Sequence, residues 1–132
     1  MKHRRTFLRS LWAGLLAAPP IIRGQPKKNH ADVVRLQPLS GVWEGWEAEF
    51  NVVTAAPGPG YAPHRHGGFV LGYVLEGEFR FAIEGQKEEV LRSGASFFEP
   101  SGVLHTVAAS ADPAKNAKVL AIIVRPKQAV TK

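Results

Sequence analysis

From Trp46 onward, apolar and polar residues alternate with a period of two. Trp46, Ala48, Phe50 and Val52 interleave with Glu47, Glu49 and Asn51, and Phe79, Phe81 and Ile83 interleave with Glu78, Arg80 and Glu84. Successive side chains of an extended strand point to opposite faces, so this period predicts strands with the apolar face in a core and the polar face in water. Phe69 to Leu75 and Val119 to Val124 are unbroken apolar runs, the pattern of strands buried on both faces. Glu76-Gly77, Gly85-Gln86 and Ser93-Gly94 fall between these runs and predict turns. No stretch of the body carries the 3.6-residue period of an amphipathic helix. The expectation is an all-β domain, either a sandwich or a closed barrel.

Two connections are longer. Ala55 to Pro63 contains Pro57, Gly58, Pro59, Gly60 and Pro63, and Ser110 to Ala117 is polar. Gly58-Pro59-Gly60 is no phosphate cradle, because no Lys-Ser/Thr follows and no helix begins there.

Composition changes this picture at one end only. The chain has 132 residues and no cysteine, enough for one domain of modest core and without disulfide or thiolate chemistry. Its net charge of +6 suggests nucleic acid until the charge is located. Lys2, Arg4, Arg5, Arg9 and Arg23 supply five of the six charges within residues 1–24, and the remainder holds 12 basic against 11 acidic residues. A nearly neutral body lacks the electrostatic footprint of a DNA or RNA binder.

That basic start precedes an apolar run from Leu11 to Ile22, too short for the roughly 20 residues of a membrane-spanning helix. Arg4-Arg5-Thr6-Phe7-Leu8 resembles the twin-arginine export motif. Residues 1–24 therefore read as an export signal directing the chain to the periplasm, with cleavage expected after Gly24. An uncleaved leader would be the one membrane anchor. Residues 25–32 read as a linker, 33–126 as the β domain and 127–132 as a tail.

After the leader there are four histidines: His30, His64, His66 and His105. On a strand, His64 and His66 point the same way, which is half of a metal site. Gly58, five residues, His64-Arg65-His66 and a later Gly77 resemble the first motif of the cupin superfamily. Gly94, five residues, Pro100-Ser101-Gly102, two residues and His105 resemble the second. The pattern is similar to that of small single-domain cupins of the quercetin-dioxygenase type.

This resemblance implies a double-stranded β-helix (jelly-roll) barrel with His64, His66 and His105 as ligands to one divalent ion. Iron, manganese, nickel, copper and zinc all accept imidazole. The chain departs from the family pattern twice: the usual glutamate ligand falls on Val70, and the terminal asparagine of the second motif falls on Ala109. Without that carboxylate, the site is expected to keep the ion's positive charge and to attract an anionic or enolate-like ligand.

Glu99, immediately before Pro100, is a candidate stand-in ligand, partner of an imidazole, or general base, set against the ordinary reading of an exposed glutamate at a strand end. Tyr73 is a candidate hydrogen-bond donor near the metal, or else a core residue. Trp43 and Trp46 could wall a pocket or simply pack on the sheet, and Arg65 should face outward. A serine triad is not expected, since Asp32 and Asp112 are the only aspartates, both beside apparent loops, and no Ser-His constellation matches them.

The functions implied are a metal-dependent oxidoreductase of the dioxygenase type acting on a small enol, phenol or diketone, or a non-catalytic cupin that binds a small ligand or a metal. Zinc would instead favour isomerisation or hydrolysis. Expected partners are a small molecule and a second copy of the chain, with the segment Val33 to Leu39 adding a strand to its neighbour.

Overall fold

The computed structural model describes residues 28–128; the leader and the extreme C-terminus lie outside them. Nine strands form in chain order: β1 (His30–Pro38), β2 (Trp46–Ala55), β3 (His64–Arg65), β4 (Phe69–Glu76), β5 (Glu78–Ile83), β6 (Glu89–Arg92), β7 (Ser96–Glu99), β8 (Leu104–Ser110) and β9 (Ala117–Pro126). The one described helical element is a single 3-10 turn, Gly41–Trp43. β1 begins at His30, so part of the segment read as linker is strand.

The strands make a five-stranded sheet, β1-β2-β9-β4-β7, and a four-stranded sheet, β3-β8-β5-β6, with antiparallel neighbours throughout. Predicted turns occur where glycine permits a left-handed backbone: Gly77, Gly85 and Gly94 have φ of +77°, +79° and +91°. A hydrophobic core between the sheets joins Val74 and Val119 of the larger sheet to Phe79, Phe81, Ile83 and Ala108 of the smaller.

The facing of β2 is the reverse of the expectation. Glu49, Asn51 and Val53 line the interior, whereas Ala48, Phe50 and Val52 take the opposite face. Glu47 and Asn51 are buried. Alternation specifies only that the two sets face opposite ways; here the interior holds a polar site, and the carboxylates go to it.

Of the two unbroken apolar runs, the one on β4 likewise alternates instead of being buried twice, whereas on β9 the adjacent Ile123 and Val124 are both buried. On β4, Val70 and Val74 are buried while Leu71 and Tyr73 are exposed. The smaller sheet covers only one face of the larger, so Phe98, Leu71, Ile122 and Phe50, in register across β7, β4, β9 and β2, form an apolar row on the outer face. β5 follows the expectation, with Phe79, Phe81 and Ile83 inward.

Candidate metal centre

The first two histidines stand at the start of the smaller sheet. β3 pairs with β8 so that His64 lies directly opposite His105, and His66 follows one residue beyond the strand. The ring centroids of His64 are 4.9 Å from His66 and 5.1 Å from His105. One ligand atom from each of the three lies within 4.8 Å of the others. The spacing read in the sequence thus becomes a convergent triad, drawn from two strands about 40 residues apart in sequence.

Local bonds hold the triad in place. His64 Nδ1 is 2.8 Å from the carbonyl oxygen of Ala62, which fixes Nδ1 as the donor and leaves Nε2 with its lone pair. The Gly102 N–H donates to the His66 carbonyl at 3.2 Å, and Arg65 Nη1 donates to the Gly102 carbonyl at 2.6 Å. Arg65 points outward, as expected, and its side chain ties the Pro100–Gly102 turn to the segment carrying His64 and His66. Gly60 lets the preceding loop lie flat against β8: a Cβ there would sit 2.2 Å from the Ala108 carbonyl oxygen.

Glu99 is buried, only 2% exposed, which settles it against the ordinary reading of a solvated strand end. Its Oε1 is 3.1 Å from His105 Nδ1 and its Oε2 is 3.7 Å from His66 Nε2. Burial pushes the Glu99 carboxyl up to about 7. Burial, with His64 nearby, pushes His105 down to about 4, and burial also lowers His66. These directions share one cause, the cost of charge away from water.

Two buried polar atoms of this group, Glu99 Oε2 and His105 Nε2, have no hydrogen-bond partner. Buried polar atoms are normally satisfied, so a pair of orphans beside three convergent imidazoles fits a cation-binding centre. His64, His66 and His105 would hold the ion, with Glu99 against two of the three rings.

The centre opens into a cavity of about 160 Å³. Phe79, Phe97, Ala108, Val119 and Ile123 give it an apolar wall; Glu49, Asn51 and Tyr61 add polar groups. Phe97 reaches the interior because its registered partner is Gly72, where a Cβ would lie 2.0 Å from the ring. Phe97 then packs against Phe81 with ring centroids 4.6 Å apart, and Phe81 supports His105 at 5.1 Å.

Tyr73 does not line this cavity. It is 46% exposed on the outer face, because parity on β4 turns Gly72 and Val74 inward and Tyr73 away. Trp43 and Trp46 are outside it too, packed edge to face at 5.5 Å, with Trp43 against Phe69.

Three cavity residues escaped the sequence reading. Glu49 and Asn51 looked like a solvent face, and Tyr61 sits in the proline-rich loop. The Tyr61 hydroxyl is buried, and burial raises its pKa. The available signal was the polar run Glu47, Glu49, Asn51 on one strand face, equally compatible with water and with a polar interior.

The cupin domain family profile matches residues 51–123. No curated protein matches the chain. Among solved structures, a cupin superfamily protein from Desulfitobacterium hafniense is 15% identical, with a TM-score of 0.58, over 76% of this chain and 81% of that one. A cupin 2 conserved barrel domain protein from Leptotrichia buccalis is 25% identical, with a TM-score of 0.60, over 76% of this chain and 43% of its own. An FeII HppE in complex with substrate is 29% identical, with a TM-score of 0.52, over 58% of this chain and 45% of that one. Motif spacing, two-sheet architecture and the match of the cupin domain family to residues 51–123, more than half of the chain, agree: the chain belongs to the cupin family.

Proposed function

We propose that this chain is an exported mononuclear metal-binding cupin that acts as a dioxygenase-type enzyme on a small enol, phenol or diketone. The observation that carries the metal reading is the convergence of His64, His66 and His105 around buried atoms without partners, at the head of an apolar cavity. The resemblance to an iron-containing structure, FeII HppE, supports a redox-active ion. A bound ion of that kind supplies Lewis acidity and electrons for oxygen chemistry.

The protein's own groups set the conditions for it. Phe79, Phe97 and Val119 give the cavity an apolar wall. Glu99 orients the His105 and His66 rings and is placed to hold or release a proton at Oε2. Export rests on the arginine pair and apolar run of residues 1–24, which lie outside the described residues.

The test is elemental mass spectrometry on the protein expressed from its full-length gene, followed by oxygen uptake with a panel of enols, phenols and diketones. About one redox-active ion per chain and uptake with at least one member is the expected result. Bound ligand without turnover would establish the non-catalytic cupin instead, and zinc would point to isomerisation or hydrolysis.

We also propose that β1 pairs with β1 of a second copy. Its free edge is exposed along all nine residues, and among the described residues only β2 bonds to it. Val33 and Val34 stand exposed along that edge, and an uncovered strand edge is a template for pairing with another chain. Light scattering should give a dimer, and Val34→Pro should give a monomer; a monomeric parent protein would refute the pairing.

A further inference from the structure

The inward face of β2 carries a charge cluster that the metal centre does not require. Arg125 of β9 is in register with Glu47, and its Nε donates to Glu47 Oε1 at 3.0 Å. Its Nη2 donates to Glu49 Oε2. Asn51 Nδ2 donates to Glu49 Oε1 at 3.0 Å. Both oxygens of Glu49 are thereby held, so its carboxylate is fixed instead of swinging with solvent. One guanidinium serves two carboxylates, which leaves the cluster with a net negative charge.

Glu49 and Asn51 line the cavity beside His64, His66 and Glu99, whereas Arg125 and Glu47 do not. Among the described residues no lysine or arginine lines the cavity. The rest of the lining is mostly apolar, and the volume of about 160 Å³ is small beside the roughly 300–1,000 Å³ of drug-sized sites. This wall opposes the pull that an ion held by the three histidines would exert on an anion: among the described residues Glu49 and Glu99 face the space a ligand must occupy, and no lysine or arginine side chain is there to receive a carboxylate or phosphate.

We infer that the cavity selects a compact, electrically neutral ligand with an apolar body, and that Glu49 enforces this choice by repelling anions. Discrimination between partners is often built from such a repulsive element as much as from attraction. The Asn51 amide, with a carbonyl oxygen and a second N–H not used by Glu49, supplies neutral hydrogen bonding of the kind such a ligand needs. This inference deepens the functional reading above and rests on it for the identity of the cavity as the ligand site.

Benzamide and benzoate test it, being close in shape and different in charge. Both are titrated calorimetrically into metal-loaded protein, into metal-free protein and into Glu49→Gln, with metal content measured separately. Benzamide should bind the parent protein at least tenfold more tightly than benzoate, and Glu49→Gln should erase most of that ratio by strengthening benzoate. Asn51→Asp adds a second charge at the same wall and should widen the ratio, which keeps the test decisive if Glu49→Gln fails to fold. Benzoate binding as well as benzamide in the parent protein, a ratio indifferent to Glu49→Gln, or no binding of either probe would overturn the inference. Absence of metal alongside an intact benzamide preference would sink the metal reading and leave the charge selection standing.

Discussion

Val70 and Glu99 are registered partners, facing each other across β4 and β7 with both side chains buried. Val70 occupies the place where the family pattern carries its glutamate ligand, and the carboxylate is found one strand away. Directly opposed residues in an antiparallel pair have Cβ atoms about 5 Å apart, so an acid can move from one strand to its neighbour and still face the same site. Glu99 thus sets a carboxylate beside the imidazoles from a different strand.

Removing that carboxylate should weaken the metal without unfolding the barrel. Groups that orient ligating imidazoles are worth about 10–100-fold in metal affinity. Glu99→Gln is expected to lose affinity in that range, read by competition with a chelating dye. Unchanged affinity would mean that Glu99 does not act on the metal.

The pH dependence of the metal-free protein follows from shifts of opposite sign. Glu99 is raised to about 7, so the stability linked to its protonated form is present below its unfolded value near 4.5 and is lost as pH rises to about 7. His105 is lowered to about 4 and His66 is lowered too, so the stability linked to their neutral forms is present above their unfolded value near 6.5 and is lost as pH falls. Between about 4.5 and 6.5 these effects oppose, and the parent protein should show a shallow melting profile. Glu99→Gln removes one side of the balance and should become steeply acid-labile over that range in thermal melts; an equally shallow profile would contradict this assignment.

Loss of two ligands should abolish metal binding while sparing the fold. The double variant His64→Ala/His66→Ala is expected to retain less than about a tenth of the parent's metal, with its circular dichroism unchanged. Full metal content in that variant would move the site elsewhere.

Gly72 is predicted to be intolerant of even one methyl group. The Phe97 ring occupies the place of the missing Cβ, and overpacking a formed core costs about 1–3 kcal/mol. Gly72→Ala should lower the urea midpoint correspondingly and disturb the cavity wall. Tyr73→Phe, a change on the opposite face, should leave stability, metal content and oxygen uptake unaltered.

Much of this architecture was legible in the residue pattern. The period of two located the principal strands, the Gly77, Gly85 and Gly94 turns fell where a left-handed backbone was needed, and motif spacing picked out His64, His66 and His105. These are local properties, expressed within a few residues of chain. The facing of β2, the burial of Glu99 and the exposure of Tyr73 were not legible in the same way. A one-residue change of parity exchanges the two faces of a strand, and nothing within Trp46 to Val52 states which face will meet the second sheet.

What the sequence by itself determined is the set of strands, their turns and the three imidazoles, because backbone alternation and glycine conformation act at short range. Only the tertiary structure decided that Glu49 and Asn51 look inward, that Glu99 lies buried opposite Val70 and against the His105 ring, and that among the described residues no lysine or arginine lines the cavity. Each of those depends on register between strands distant in sequence, which is set when the two sheets pack and not before.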